Sequence, residues 1–539
     1  MALAAAPRLA FQTSKDGVWA FGVAAEVIEN ADLSLHSLIG HSNDHSNTHA
    51  FPAKCDKPER TETDLMNKAS RALSIRHPLD LPAAEIASGI RSGQFTAEAV
   101  VIESIDRAKS VNAKLNAFTV IREEEALASA RDADRAISEG KAGGPLHGVP
   151  FAAKDLTPTK GDMTTFGSWT SGDWVPEETA LCIRRLEEAG AILIGKTTTP
   201  EFAYASFTKS PRWGATRNPW DPERTPGGSS GGSAVAVATG VVPFAEGTDM
   251  GGSVRIPAAF CGVVGLKPSL GRIPMTILPS VFDNISHFGP LARTVGDAAA
   301  FMEAASGPSD EDIMSLPLSF SAQAARKGSL EGKRFAFSMD LGYYQIQPEV
   351  AAVMRETIGK IRNLGAVVDE VPMHWTRAVN DQWFDVWCVF MSSFFGERLT
   401  QHAHHMDPAV VSMIERGQVA NATDYKRVEL LRTSMWRDMA KLFESYDALL
   451  CPTCAITAPP LNECDDDYVA TLPDGSFAGL DMTCPFNLLP QLPALSLPAG
   501  HASNGLPVGL QIIGRRFADE QVLSFGAAME PSVSLTGSR

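Results

Sequence analysis

Cysteine is scarce. Eight thiols in 539 residues, at positions 55, 182, 261, 388, 451, 454, 464 and 484, are too few for a disulfide scaffold and fit a reducing compartment. Cys451-Pro-Thr-Cys454 has redox or zinc spacing, but neither a second CxxC nor an HxxxH lies near it, and the preceding Tyr446-Asp-Ala-Leu-Leu450 reads as a strand entering a loop. Long apolar runs are also missing: the richest stretch, Ala234 to Ala245, is broken by Thr239, Gly240 and Pro243, short of the ~18 residues a membrane span needs. Positive charge is in deficit, with 47 basic against 63 acidic side chains and a net charge of −16, and no basic stripe runs along the chain. That excludes a phosphate-backbone binder, so neither nucleic acid nor membrane is an expected partner. The opening Met1 to Phe11 lacks the basic start, longer apolar segment and cleavage site of a secretory signal, which leaves a cytoplasmic location as the expectation.

What remains is an ordinary globular composition, 44% hydrophobic and 20% charged. Residues 1 to 65 differ from the rest: His36, His41, His45 and His49 sit among polar residues, and a charged run extends from Lys54 to Asp64. This segment reads as a poorly ordered extension with Met66 as an alternative start, and the irregular histidine spacing favours a solvated tail over a metal site. From residue 79 helix and strand alternate. Thr96 to Ser110 is helical and Asn116 to Ile121 a strand; Glu178 to Ala189 is a helix stopped by Gly190, followed by the strand Ala191 to Gly195. Glu349 to Leu364 and Ala366 to Val371 repeat the unit. The alternation predicts one α/β domain over residues 66 to 525, with a mixed, mostly parallel sheet covered by helices on both faces. Residues 526 to 539 read as a C-terminal tail. Within the domain, residues 375 to 446 form a helical, aromatic-rich insertion, with Trp383 and Trp387 four apart on one face; it is either inter-helix core or a wall for a bulky substrate.

Three segments carry possible chemistry. Thr225-Pro-Gly-Gly-Ser-Ser-Gly-Gly-Ser-Ala234 leads into a helix-prone run, lacks the lysine of a phosphate loop, and lies mid-domain where a flexible linker is out of place. Its Gly-x-Ser-x-Gly strings follow Thr225-Pro226 where a nucleophile elbow needs a strand. In Gly247-Thr-Asp-Met-Gly-Gly-Ser253-Val-Arg-Ile-Pro257, two glycines ahead of a serine let consecutive N–H groups converge on a negative oxygen. Lys154 ends the apolar run Val149 to Ala153; it is either a paired, snorkelling side chain or, if desolvated, a base for a serine nucleophile. His147 and His287 are isolated and offer no better base.

In this order the three segments resemble the amidase signature family, whose diagnostic stretch joins GGSSGGSA to a downstream DxGGSxRxPA. The resemblance runs from about residue 79 to 515, through Gly195-Lys-Thr-Thr-Thr-Pro-Glu-Phe202, Gly265-Leu-Lys-Pro268 and Gly505-Leu-Pro-Val-Gly-Leu-Gln511. It implies the amidase signature fold, no cofactor and no metal, and a Ser-cisSer-Lys triad with Ser253 as nucleophile, Ser229 as bridge and Lys154 as base. The family's spacing of 24 residues puts the bridge on Ser229, after a cis bond to Gly228, and leaves Ser230 as a hydrogen-bonding neighbour. The backbone amides of Met250, Gly251, Gly252 and Ser253 are implied as the oxyanion hole, with Asp249 and Arg255 supporting the loop. The expected reaction is hydrolysis of a linear carboxylic acid amide, hydrophobic or aryl, through an acyl-enzyme. Carbamate or ester hydrolysis, and glutamine hydrolysis as a subunit of a tRNA-dependent amidotransferase, stand as alternatives; a homodimer is compatible with either. Departures from the family pattern at Met250, Thr198 and Pro490 place the uncertainty in the substrate pocket.

Overall fold

A computed structural model describes residues 77–141, 143–326 and 328–533. The expected N-terminal extension, with its four histidines, lies outside the described residues, as do positions 534–539.

Thirteen strands are present among the described residues: β1 Phe118–Ile121, β2 Pro150–Lys154, β3 Ile192–Thr197, β4 Lys209–Ser210, β5 Gly214–Ala215, β6 Phe244–Asp249, β7 Val264–Lys267, β8 His287–Ala292, β9 Arg334–Phe337, β10 Val367–Glu370, β11 Ala448–Pro452, β12 Ala494–His501 and β13 Pro507–Ile513. β4 and β5 pair with each other, and the other eleven form one sheet in the order β1-β3-β2-β6-β8-β7-β12-β13-β11-β9-β10.

The mixed α/β class expected from the sequence holds. Parallel pairing is confined to two flanks, β3-β2-β6 and β11-β9-β10, while β6-β8-β7-β12-β13-β11 pair antiparallel, as does β1 with β3. Parallel neighbours follow from the strand–helix–strand units; where the connection is a short turn, as between β12 and β13, a hairpin forms instead. Parallel pairs therefore make up a smaller share of the sheet than the alternation suggested.

Local sequence explains the flanking helices. Thr96 caps the helix Ala97–Leu115, its hydroxyl accepting from Ala99 N at 3.1 Å, and Ala97, Val100, Val101, Ile105 and Ala108 supply the three-and-four spacing of a buried stripe. Gly190 (φ +93°) ends the turn after the helix Leu181–Glu188; a Cβ there would lie 2.8 Å from the His147 backbone, so only glycine lets β3 begin beside that loop.

Strands β2, β3, β6, β8 and β13 are buried at every residue, which requires cover on both faces. Alternation separates two cores. Leu450, Leu495, Leu497 and Ile512 join one cluster with the helices Ala97–Leu115, Val295–Ala305 and Pro348–Asn363. Leu449, Cys451, Ala494 and Ile513 join another with Trp375, Val379, Met435 and Phe443 of the aromatic insertion. That insertion is helical as expected, through Ala378–Phe395, Pro408–Gln418 and Ala422–Ser445.

The C-terminal boundary needs correction. The helix Asp519–Val533 continues through position 526, and Val522, Phe525, Met529 and Val533 are buried in the first core, so apolar spacing carries the fold eight residues into the expected tail.

Candidate active site

The strand directions bring three chain segments to one edge of the sheet. β2 and β6 run parallel and β7 runs antiparallel to the intervening β8, so Lys154, Asp249 and Lys267 close their strands at the same edge, where His287 opens β8. Carboxyl ends of strands in open α/β sheets are the usual place for a ligand crevice.

Lys154 is fully buried. Its Nζ donates to Ser229 Oγ at 2.7 Å and to Thr248 Oγ1 at 2.9 Å, and its backbone N–H donates to Glu246 Oε2 at 2.8 Å. Burial pushes the amine down from 10.5 to about 7, against the opposing pull of Glu246 and Asp249. Burial likewise raises Glu246, whose other oxygen accepts from Thr157 Oγ1 at 3.0 Å. Thr248 and Glu246 were not anticipated; strand alternation was the available signal, because residues two apart in β6 share a face.

Ser229 follows a cis peptide from Gly228, as the resemblance implied. It is fully buried, and it lines with Ser253 a cavity of about 650 Å³. Ser230 ties the two glycine-rich segments together: its N–H donates to the Ser253 carbonyl at 3.1 Å and its hydroxyl accepts from Thr248 N at 3.3 Å.

Asp249, at the opposite parity from Thr248, faces Arg255. Both are fully buried, with Arg255 Nη2 2.8 Å and Nε 2.9 Å from the two carboxylate oxygens. Burial alone would raise this carboxyl, but Arg255 and the Asn487 amide hold it well below the ordinary carboxylate range. Arg255 also donates to Thr483 O, Gln511 Oε1 and Asn487 Oδ1, which satisfies a cation that would otherwise be costly to bury. The Asp249 carboxylate also accepts from Val254 N at 3.2 Å.

One amide of the implied oxyanion hole is otherwise engaged. Gly252 N–H donates to Asp249 Oδ1 at 2.9 Å, whereas the amides of Met250, Gly251 and Ser253 have no protein acceptor among the described residues. The carboxylate that shapes the turn captures the donor three residues on, an Asx-type contact. Gly252 itself has φ +132°, and a Cβ there would overlap Thr483 Oγ1.

The aromatic insertion contributes to both the core and the cavity. Trp375 packs in the core, while Trp383, Phe384, Phe390, Phe394 and Phe395 line the cavity beside Phe202 and Tyr204. Trp383 also braces the loop 250–253: its indole N–H donates to Met250 O at 3.0 Å, and its ring lies where a Cβ on Gly251 would stand, 2.1 Å away. Of the three departures from the family pattern, Met250 lines the cavity; Thr198 is instead bonded to Thr216 in the interior at 2.6 Å, and the Pro490 carbonyl accepts from Leu270 N. Cys451 is buried, its thiol pushed up to about 12 by that burial, the reverse of an activated cysteine. Among the described residues no cluster of His, Cys, Asp or Glu could hold a metal, and no helix is long and apolar enough to cross a membrane.

Comparison with known proteins agrees in class. Residues 99–523 match the family model described as Amidase. An acylamidase from Rhodococcus erythropolis is 36% identical over 454 residues, covering 84% of this chain and 95% of the relative. A glutamyl-tRNA(Gln) amidotransferase subunit from Moorella thermoacetica is 37% identical over 477 residues, covering 84% and 96%. Among solved structures, a bacterial aryl acylamidase of the amidase signature family superposes with a TM-score of 0.78 at 30% identity, over 84% of this chain and 96% of that one. A 6-aminohexanoate cyclic dimer hydrolase gives 0.75 at 28%, over 84% and 97%.

Proposed function

The chain belongs to the amidase family and is an amide C–N hydrolase, and from that premise we propose that it acts through a Ser253 acyl-enzyme on hydrophobic or aryl amides. The observation that carries this reading is the desolvated Lys154 amine bonded to Ser229 Oγ on the wall of a cavity that Ser253 also lines.

In this mechanism neutral Lys154 accepts the Ser229 hydroxyl proton while Ser229 Oγ accepts the proton of Ser253, whose oxygen attacks the carbonyl carbon. The tetrahedral oxyanion is met by backbone amides of Met250, Gly251 and Ser253, with Gly252 reserved for Asp249. Collapse expels the amine, which takes its proton from Ser229, and Ser229 is reprotonated from the Lys154 ammonium. Water then attacks the ester by the same proton path and releases the acid. Every proton taken up in a half-reaction is returned within it, so no cofactor is required by the chemistry.

The aromatic wall supports an aryl or bulky acyl group, since a glutamine side chain would leave most of Phe384, Phe390, Phe394 and Phe395 uncovered. The comparable identity to the amidotransferase relative keeps glutamine hydrolysis as a second reading. A cytoplasmic location accompanies the proposal and suits the scarcity of cysteine in the chain.

The test is a turnover panel of a phenyl-bearing amide, its matched ester and urethane, acetamide and glutamine, run on wild type and Ser253→Ala. Preferred hydrolysis of the phenyl amide, abolished in the variant, is expected. A preferred ester or urethane would reassign the leaving group, preferred glutamine would favour the amidotransferase reading, and an active variant would remove Ser253 as nucleophile.

A further inference from the structure

A second buried amine, unused in the chemistry above, sits at the neighbouring strand end. Lys267 closes β7, fully buried, and its Nζ has four acceptors within reach of its three N–H groups: the carbonyls of Leu492 at 2.8 Å, Pro268 at 3.1 Å and Pro490 at 3.4 Å, and His287 Nε2 at 3.5 Å. His287 lies opposite Asp249 in the β6–β8 register, and its Nδ1 is 3.1 Å from the Asp249 carbonyl oxygen. Asn487 Nδ2 approaches the same oxygen at 3.4 Å.

The partners fix the proton on the ring. Both ring nitrogens face a carbonyl oxygen, which can only accept, and we assign the proton to Nδ1, as donor to Asp249 O, from the other partners of Nε2. Nε2 faces both the Pro490 carbonyl, at 3.2 Å, and the Lys267 amine. Pro490 O already accepts from Leu270 N at 2.9 Å, so the neutral ring leaves nothing unmet when Nε2 accepts one Lys267 N–H and the other two go to the nearer carbonyls of Leu492 and Pro268. Burial, with the Lys267 charge adding to it, pushes the imidazole down to about 3, which keeps the ring neutral with a single N–H.

That N–H is aimed at one end of a particular peptide. The carbonyl of Asp249 and the N–H of Met250 belong to the same amide, and Met250 N–H is the first donor of the proposed oxyanion hole. A hydrogen bond accepted at a peptide oxygen polarises the group and strengthens its N–H as a donor, and a bonded oxygen also fixes the plane. We propose that His287, braced by Lys267, is a positioning residue that holds the Asp249–Met250 peptide so that Met250 N–H meets the oxyanion of the transition state. This deepens the serine-amidase reading and rests on it. His287 touches no substrate; it acts through the backbone, from the interior side of the loop that Trp383 braces through the Met250 carbonyl.

The experiment compares His287→Leu, which removes the donor, with His287→Asn, whose amide nitrogen can stand in the place of Nδ1. Three quantities are read: kcat, KM, and affinity for a trifluoromethyl ketone, which forms a tetrahedral adduct, beside affinity for the product carboxylate, which does not. Direct removal of a hole donor costs about 10²–10³ in kcat, so loss of its support is expected to cost about tenfold or more. His287→Leu should lower kcat by that factor with KM within about twofold, and weaken the ketone by the same factor while product affinity stays put. His287→Asn should recover most of the loss. If His287→Leu does not fold, His287→Phe, a planar ring like the imidazole and equally without a donor, takes its place. Unchanged ketone affinity, a change confined to KM, or a His287→Asn variant as impaired as the leucine one would overturn the proposal. Ser253→Ala is measured alongside: an active Ser253→Ala removes the underlying reading, whereas an inactive one beside an undiminished His287→Leu removes this inference alone.

Discussion

Lys154 is fully buried beside two hydroxyl acceptors, and burial, opposed by Glu246 and Asp249, sets its protonation. The ammonium loses more hydration than the amine on burial, so the group moves down to about 7, and the neutral form that a base requires is abundant near neutrality. The sign for activity follows: protonation disables the base, so kcat/KM should fall tenfold per pH unit below about 7 and level off above it. A pH–rate profile measures this, and a rate that declines with rising pH across that range would contradict it. Lys154→Ala should lose roughly 10³-fold or more in kcat, the upper part of what general-base catalysis supplies, with little change in melting temperature. Thr248→Val is a subtler probe. The Thr248 hydroxyl favours the charged amine as an acceptor, so its removal should shift the acid limb to lower pH rather than abolish turnover.

At the scale of elements, the helix Ala378–Phe395 reaches from the second core to the loop 250–253 through Trp383. Trp383→Phe keeps the ring but drops the bond to Met250 O, and kcat should fall several-fold at nearly constant KM. Gly251→Ala meets the indole directly and should cost far more; near-wild-type activity in that variant would show that the helix does not brace the loop. The sequence made much of this scale legible. Lys154 at the end of an apolar run does close a strand, as short-range pattern determines, whereas the contact with Ser229, 75 residues away, was legible only through the family resemblance. Glu246 and Thr248 were within reach through strand parity. Thr483, Asn487 and Gln511 were not: they meet Arg255 across 228, 232 and 256 residues of chain, and only the assembled sheet brings them there. The engaged Gly252 amide was hidden for a different reason, since four consecutive donors in a string do not reveal that a nearby carboxylate has taken one.

For the molecule as a whole, the Asp249–Arg255 pair is the point where β6, β13 and the segment 483–487 are tied together. Arg255→Met leaves a carboxylate buried without its cation, a loss of about 3–5 kcal/mol, so a clear drop in melting temperature should accompany loss of activity. An unchanged melting temperature would mean that the network is not structural. The cavity of about 650 Å³ with its aromatic wall makes a further claim, on specificity. Burying a phenyl ring contributes about 2 kcal/mol, so a phenyl-bearing amide should exceed acetamide by about 30-fold in kcat/KM, and equal values would remove the wall from substrate binding.

All three scales return to the proposed relay, a neutral lysine connected through Ser229 to Ser253. The most direct measurement is the rate at which a fluorophosphonate labels the protein as a function of pH, with the modified peptide mapped, in wild type and Lys154→Ala. The label should fall on Ser253, at a rate that climbs tenfold per pH unit up to about 7 and then stays flat, and Lys154→Ala should lose both the rate and that inflection. Labelling of another residue, or a Lys154→Ala profile that overlies the wild type, would contradict the account.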